Sequence, residues 1–152
     1  MPIQKVPAAA WRRIGVVGLI LTLAAVFWIT LTPQPFEQDQ YSAWVEWTLN
    51  ALHAMGVPPS FGYSELEVAA NVVMFVPLGL FLTLALERRR AWVGLVALPA
   101  LSGGIELAQL LFLPTRYPTL SDILANSLGA WIGIGAIALI RMYARGQLAR
   151  PM

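Results

Sequence analysis

The chain of 152 residues has no cysteine and only one histidine, His53. The absence of cysteine excludes disulfides and thiolate chemistry, and a single histidine is too few for a histidine-rich metal site. Charged residues make up only 12% of the chain, whereas a soluble domain usually carries about 25%. A net charge of +2 is too small to indicate a nucleic-acid-binding protein. We therefore expect a membrane protein with no metal or other cofactor and no nucleic-acid partner.

Apolar residues make up 58% of the chain and are concentrated in long runs. At about 1.5 Å per helical residue, each run is long enough to cross, or nearly cross, a hydrocarbon core of about 30 Å. The first run follows basic residues, as in a signal peptide, but it is long for one and no small-residue cleavage site follows it. We predict an all-α integral membrane bundle, a single domain over residues 1–152, with four transmembrane helices at 14–32, 68–86, 91–113 and 122–140.

The polar segment between the first two runs contains a further helical pattern at residues 41–55. Glu46, Asn50 and His53 share one face of this pattern, and aromatic and aliphatic residues occupy the other. Tryptophan and tyrosine favour the boundary between lipid and water. We therefore predict a short amphipathic helix that lies in the membrane interface, with His53 on its exposed polar face. A capping box at Ser64–Glu67 is expected to start the second transmembrane helix.

The basic residues indicate how the bundle is oriented in the membrane. All of the ten lysines and arginines except Arg116 lie in the amino-terminal segment, at 88–90 or in the carboxyl-terminal tail. The positive-inside rule then places both termini in the cytoplasm. Because successive spans alternate in direction, the long first loop with its interfacial helix and the loop at 114–121 then lie on the outer side.

A set of polar residues interrupts the apolar runs at depths that all correspond to the outer half of the bilayer. Polar groups in a membrane are costly and usually face a bundle interior, a cavity or a partner. Within each of the last two spans, helical spacing also places the polar residues on one face of the helix. We predict an outer-leaflet site, either an open polar pocket or a buried polar cluster, whose ligand-binding residues are Asn71, Glu106, Gln109, Arg116, Asp122 and Asn126.

Several of these residues also have a purely structural interpretation. Asp122 follows Thr119 at the spacing of a helix N-terminal cap. Asn71 and Asn126 would be explained equally well by hydrogen bonds between helices. Both interpretations remain open from the sequence alone.

Glu106 is harder to explain as a structural residue. Ionised and unpaired at its expected depth, it would cost several kcal/mol, so we expect it to be paired, protonated or in contact with water. Arg116 is the candidate partner in a structural salt bridge. Alternatively, Arg116 holds an anionic group of a ligand through its planar guanidinium.

The last span contains Gly129 and Gly133 in a GxxxG pattern. Small residues at this spacing let helix backbones approach closely in membranes. We expect the pair to pack within the bundle, and a dimer contact through the same two glycines is the alternative.

The polar and small residues of the last three spans form an ordered set of motifs: Asn71-x-x-x-Phe75-x-Pro77-x-Gly79, Glu106-x-x-Gln109, Arg116 and Asp122-x-x-x-Asn126-x-x-Gly129-x-x-x-Gly133. Taken in this order, these residues resemble the VanZ-like family of bacterial membrane proteins. That family is named after a protein that gives low-level resistance to teicoplanin, a glycopeptide antibiotic with a lipid tail. The resemblance implies a multi-pass protein of the bacterial cytoplasmic membrane, linked to tolerance of antibiotics that target the envelope.

Three functions fit the sequence. In the first, the outer site binds a membrane lipid headgroup, a lipid-linked cell-wall precursor or a lipidated glycopeptide. In the second, Glu106 and Asp122 act as general acid and base of an enzyme with a lipid-like substrate. In the third, the polar residues only lock a structural or partner-binding bundle. We favour binding without catalysis, because the sequence offers no cysteine nucleophile, intramembrane histidine or metal-ligand cluster.

Overall fold

The computed structural model describes residues 8–32, 38–114 and 119–148, and within these ranges the regular structure is entirely helical. A 3₁₀ turn at Arg88–Arg90 connects the third and fourth helices. All the helices except the second are long and apolar enough to cross a membrane. This confirms the predicted all-α bundle of four spans, with an additional helix between the first two. The helices are α1 (Ala8–Leu31), α2 (Gln38–Ala54), α3 (Tyr63–Ala85), α4 (Val93–Phe112) and α5 (Leu120–Leu148).

Three helices extend beyond the apolar runs that predicted them. Hydropathy marks the part of a helix that suits lipid, whereas backbone hydrogen bonding continues through charged residues such as Arg12 and Arg141. The helical bounds therefore differ from the predicted spans even though the number of spans agrees. α1 begins before the predicted 14–32, α3 begins before the predicted 68–86, and α5 continues past the predicted 122–140.

The start of α3 differs from the predicted capping box at Ser64–Glu67. Gly62 is the cap instead, and its N–H donates to Oε2 of Glu65 at 2.8 Å. The preceding turn is held by His53, whose Nε2 donates to the carbonyl oxygen of Phe61 at 3.0 Å. His53 is thus half-buried against this turn rather than exposed on a polar face.

α3 is the central helix of the bundle, because it packs against both α1 and α5. α4 packs mainly on α5 and also touches α1 and α3. Large apolar side chains cover the outer surface, and Trp28 and Phe112 are 75% and 76% exposed. Such a surface is typical of lipid contact rather than of water contact. The core between the helices consists of Val26, Phe75, Leu78, Leu98, Ile105, Ala130 and Ile134.

Glycines allow the close contact between α3 and α5. A Cβ atom added to Gly129 would lie 2.0 Å from the carbonyl oxygen of Val72, and one added to Gly133 would lie 2.1 Å from that of Val76. Gly79 of α3 is equally close to the backbone of α5. The predicted packing role of the GxxxG pair is confirmed. A dimer through the same two glycines would require α3 to leave this face.

A proline inside α4 is compensated by a neighbouring helix. Pro99 has no N–H, so the carbonyl of Leu95 lacks its usual helical donor. The indole N–H of Trp131, on α5, donates to that carbonyl oxygen at 3.2 Å. Such replacement donors are how membrane helices tolerate proline, and this one also ties α4 to α5.

Candidate functional site

Four polar side chains from α4 and α5 meet inside the bundle. They are less than one-tenth exposed, and Glu106 and Asn126 are only 8% and 2% exposed. Three of them share one face of α4 because they are spaced at about one helical turn. Of the predicted site residues, Glu106, Gln109 and Asn126 form a buried cluster. We call Ser102, Glu106, Gln109 and Asn126 the buried polar cluster.

Hydrogen bonds from this cluster join three helices. Nδ2 of Asn126 donates to Oγ of Ser102 at 2.9 Å, which links α5 to α4. Nε2 of Gln109 donates to the carbonyl oxygen of Thr30 at 2.9 Å, which links α4 to α1. Glu106 lies between Ser102 and Gln109 on α4, so it sits between the two interhelical contacts.

Sequence reasoning did not identify Thr30 as a member of the site. Its contribution is a backbone carbonyl oxygen, which every residue carries, so no side-chain pattern could have singled it out. Its own hydroxyl donates to the carbonyl oxygen of Val26 at 2.7 Å, within α1. The position is defined only by how α1 packs on α4.

The side-chain oxygen of Asn126 is an acceptor that is unused among the described residues. Oδ1 of Asn126 is buried and has no hydrogen-bond partner there. Leaving a buried acceptor unsatisfied costs about 1–3 kcal/mol, so such atoms require an explanation. A donor from a bound molecule would satisfy it.

A second polar layer lies at the start of α5, and we call Asn71, Thr119 and Asp122 the rim network. Nδ2 of Asn71 donates to Oδ1 of Asp122 at 2.6 Å, and the hydroxyl of Thr119 donates to Oδ2 at 2.7 Å. The N–H of Asp122 donates back to Oγ1 of Thr119 at 3.1 Å. These contacts confirm the cap at Asp122, and Asn71 makes the expected bond between helices. Asn71 and Asp122 are half-buried and Thr119 is exposed, so this layer reaches the surface.

The two layers lie at the same end of the bundle. Asn126 follows Asp122 by one turn of α5, and Gln109 lies in the last turn of α4. Five of the six predicted site residues are therefore brought together from α3, α4 and α5. Arg116, the sixth, lies outside the described residues, and so does its predicted pairing with Glu106.

An apolar cleft of about 260 Å³ opens between α2 and α3. Trp44, Leu66 and Glu67 are among the residues that line it. Glu67 precedes Asn71 by one turn of α3, so the cleft adjoins the rim network along that helix. The sequence predicted that the aromatic face of α2 lies in the membrane interface, but the cleft itself could not be predicted, because a cleft requires knowing which helix covers it.

Four spans, a lipid-facing apolar surface and an internal polar cluster define a multi-pass membrane protein. The model of the VanZ/LLP1 family matches residues 19–141, and the chain belongs to this family. The matched region contains the buried polar cluster, the rim network and Arg116, so it includes every predicted site residue. No match was found among curated proteins or among solved structures.

Proposed function

We propose that this VanZ-like protein binds a lipid-bearing envelope molecule at the end of the bundle formed by the rim network. The ligand would be a lipid headgroup, a lipid-linked cell-wall precursor or a lipidated glycopeptide. Binding would contribute to tolerance of teicoplanin-type antibiotics. The observation that carries the proposal is the stacking of two polar layers, from three helices, at one end of an otherwise apolar bundle.

Energetics favour a ligand over a purely structural role. Hydrogen bonds between membrane helices contribute on average about 0.6 kcal/mol. A buried acceptor without a donor, such as Oδ1 of Asn126 among the described residues, costs about 1–3 kcal/mol, which is more than one such bond contributes. A polar cluster retained at this cost is explained by recognition of a polar molecule.

The contacts among the described residues suggest which portion of a lipid-bearing molecule would bind to each part of the site. Its polar groups would contact the half-buried Asn71 and Asp122, and a donor would reach Oδ1 of Asn126. The cleft beside Trp44 would receive part of an acyl chain from the side. Arg116 would hold a phosphate or carboxylate group, the role that its guanidinium suits.

The enzymatic alternative is less well supported by the contacts. Both carboxylate oxygens of Asp122 already accept hydrogen bonds, from Asn71 and from Thr119. The helix cap and the interhelical bond account for both contacts without any proton transfer. Each oxygen keeps a second lone pair, so a donor of a bound ligand can still reach Asp122.

Direct binding to purified full-length protein in lipid nanodiscs tests the proposal. The ligands are fluorescently labelled teicoplanin and a lipid-linked wall precursor. Asn71→Ala is expected to weaken binding of at least one of them by roughly tenfold, the effect of about 1.4 kcal/mol. The matched control is Asn50→Ala, since Asn50 is exposed on α2. Equal affinities for wild type, Asn71→Ala and Arg116→Ala, at unchanged elution profiles, would contradict the proposal.

We also propose that the rim network faces the outside of the cell, with both termini in the cytoplasm. Arg12 and Arg13 near the start of α1 and the basic residues of the Arg88–Arg90 turn favour this orientation. Because the chain has no native cysteine, Ser60→Cys is expected to react with an impermeant thiol reagent on intact cells. Arg90→Cys is expected to react only after lysis. The reverse pattern would overturn the orientation.

A further inference from the structure

A cavity of about 1310 Å³ lies at the end of the bundle opposite to the rim network. α1 and α5 both pack on α3 but make hardly any contact with each other, so the space between them stays open. In a membrane, apolar walls that face the bilayer are covered by hydrocarbon chains. We call this space the basal cavity, and its apolar walls include Val16, Val17, Leu80, Leu84, Ile137 and Ile140.

The mouth of the basal cavity is strongly basic. The acidic residue among its described lining residues is Glu87, which pairs with Arg89 at 3.0 Å. Within the described part of the chain, none of the arginines that line the cavity forms an ion pair. They come from α1, from the 3₁₀ turn and from α5, and they are Arg12, Arg13, Arg88 and Arg141.

Arg141 is held in place while most of its donors remain available. Its Nη2 donates to the carbonyl oxygen of Thr83 at 2.9 Å. Thr83 lies in the last turn of α3, where carbonyl groups lack helical donors. A guanidinium group has five N–H donors, so this single bond leaves the others for a further acceptor.

We propose that the basal cavity binds an anionic phospholipid of the adjacent leaflet. Its phosphodiester would contact Arg12, Arg88 and Arg141, because guanidinium groups bind phosphate oxygens in a bidentate manner. Its acyl chains would lie along the apolar walls between α1 and α5. Trp11, which is 48% exposed and lines the mouth, has the aromatic character found at headgroup level.

Charge and shape together favour this occupant over others. A second copy of the chain in a two-fold contact would bring two sets of arginines together, and like charges repel. A free phosphate ion would account for the arginines but would leave the apolar walls uncovered. A lipid with a negative headgroup matches both, and basic pockets between membrane helices bind such headgroups.

Native mass spectrometry of the full-length protein tests this inference. The protein is released from bilayers of equal parts phosphatidylglycerol and phosphatidylcholine, and the lipids that remain bound are counted. Wild type is expected to retain phosphatidylglycerol preferentially. Arg88→Gln is expected to reduce that preference roughly fivefold, the effect of about 1 kcal/mol per basic residue. Arg90→Gln removes the same charge from the same turn but outside the cavity, and it is expected to leave the preference unchanged.

A second pair of variants tests the apolar walls without changing any charge. Val17→Trp places a large side chain in the cavity and is expected to reduce retention of phosphatidylglycerol. Leu21→Trp, one turn further along α1, is the control, since Leu21 is 66% exposed and lies outside the cavity lining. Excess inorganic phosphate is expected not to displace the lipid.

Four results would overturn the inference. The first is an equal loss of the preference for phosphatidylglycerol in Arg88→Gln and Arg90→Gln, and the second is unchanged retention of phosphatidylglycerol in Val17→Trp. The third is displacement of the lipid by inorganic phosphate alone, and the fourth is a wild-type dimer that carries no lipid. Because the basal cavity and the rim network lie at opposite ends of the bundle, failure here leaves the proposed outer site to be judged on its own experiment.

Discussion

Gly129→Ala and Gly133→Ala are each expected to destabilise the bundle by about 1–3 kcal/mol, the usual cost of overpacking a core. At both positions the added methyl group would lie within 2.1 Å of a carbonyl oxygen of α3. That neighbour is backbone, so no side-chain rotation relieves the clash and the two helices must separate. The double variant is expected to lose the contact between α3 and α5 and to fall in membrane abundance.

The matched control for these variants is Gly135→Ala, on the same helix. A methyl group added at Gly135 would meet nothing within 4 Å. All three substitutions change helix propensity in the same way, so a difference between them reports the clash alone. Thermal unfolding in detergent measures it. A midpoint for Gly129→Ala or Gly133→Ala as high as that of Gly135→Ala would contradict the assigned packing.

Glu106→Gln is expected to abolish the tolerance to teicoplanin that wild type gives a sensitive Gram-positive host. Glutamine has the same shape and keeps an oxygen acceptor, so the buried polar cluster is expected to remain packed. It lacks the carboxyl group, so it cannot present a carboxylate or an acidic proton to a ligand. Loss of tolerance at unchanged membrane abundance would therefore separate a binding role from a structural one.

Glu46→Gln is the matched control for this experiment, because Glu46 is exposed on α2 and lies outside the polar layers. Arg116→Ala, also at matched abundance, is expected to behave like Glu106→Gln. A parallel test with vancomycin shows whether the lipid tail of the antibiotic matters. If expression of wild type changes the susceptibility of the host to neither teicoplanin nor vancomycin, the antibiotic role is wrong for this chain. Binding of a lipid or wall precursor then becomes the function to test.

Much of the fold could be predicted because each span is apolar over its own length. The uncharged apolar run that ends at Thr32 and the small-residue spacing of Gly129 and Gly133 are local features of the sequence. Such features do not depend on how the helices are arranged. The same holds for the polar faces. Ser102 and Glu106 share a side of α4 because helical periodicity places them there.

The candidate site was only partly predictable, because its geometry depends on which helices are neighbours. The bond from Gln109 to the backbone of Thr30 requires α1 to lie against α4. The hydrogen bond from the indole N–H of Trp131 to the carbonyl oxygen of Leu95 requires α5 to lie against α4. Neither partner is distinguishable in the sequence, since a backbone carbonyl has no signature and a tryptophan in a membrane helix has several roles.

The sequence alone determined that this protein is a four-span membrane bundle and which side of each helix carries its polar groups. It did so because hydropathy and helical periodicity are properties of a single segment. Only the tertiary structure decided that the polar cluster is buried, that α3 covers the glycines of α5, and that a basic cavity opens between α1 and α5. These features depend on the pairing and spacing of separate helices, which no single segment encodes.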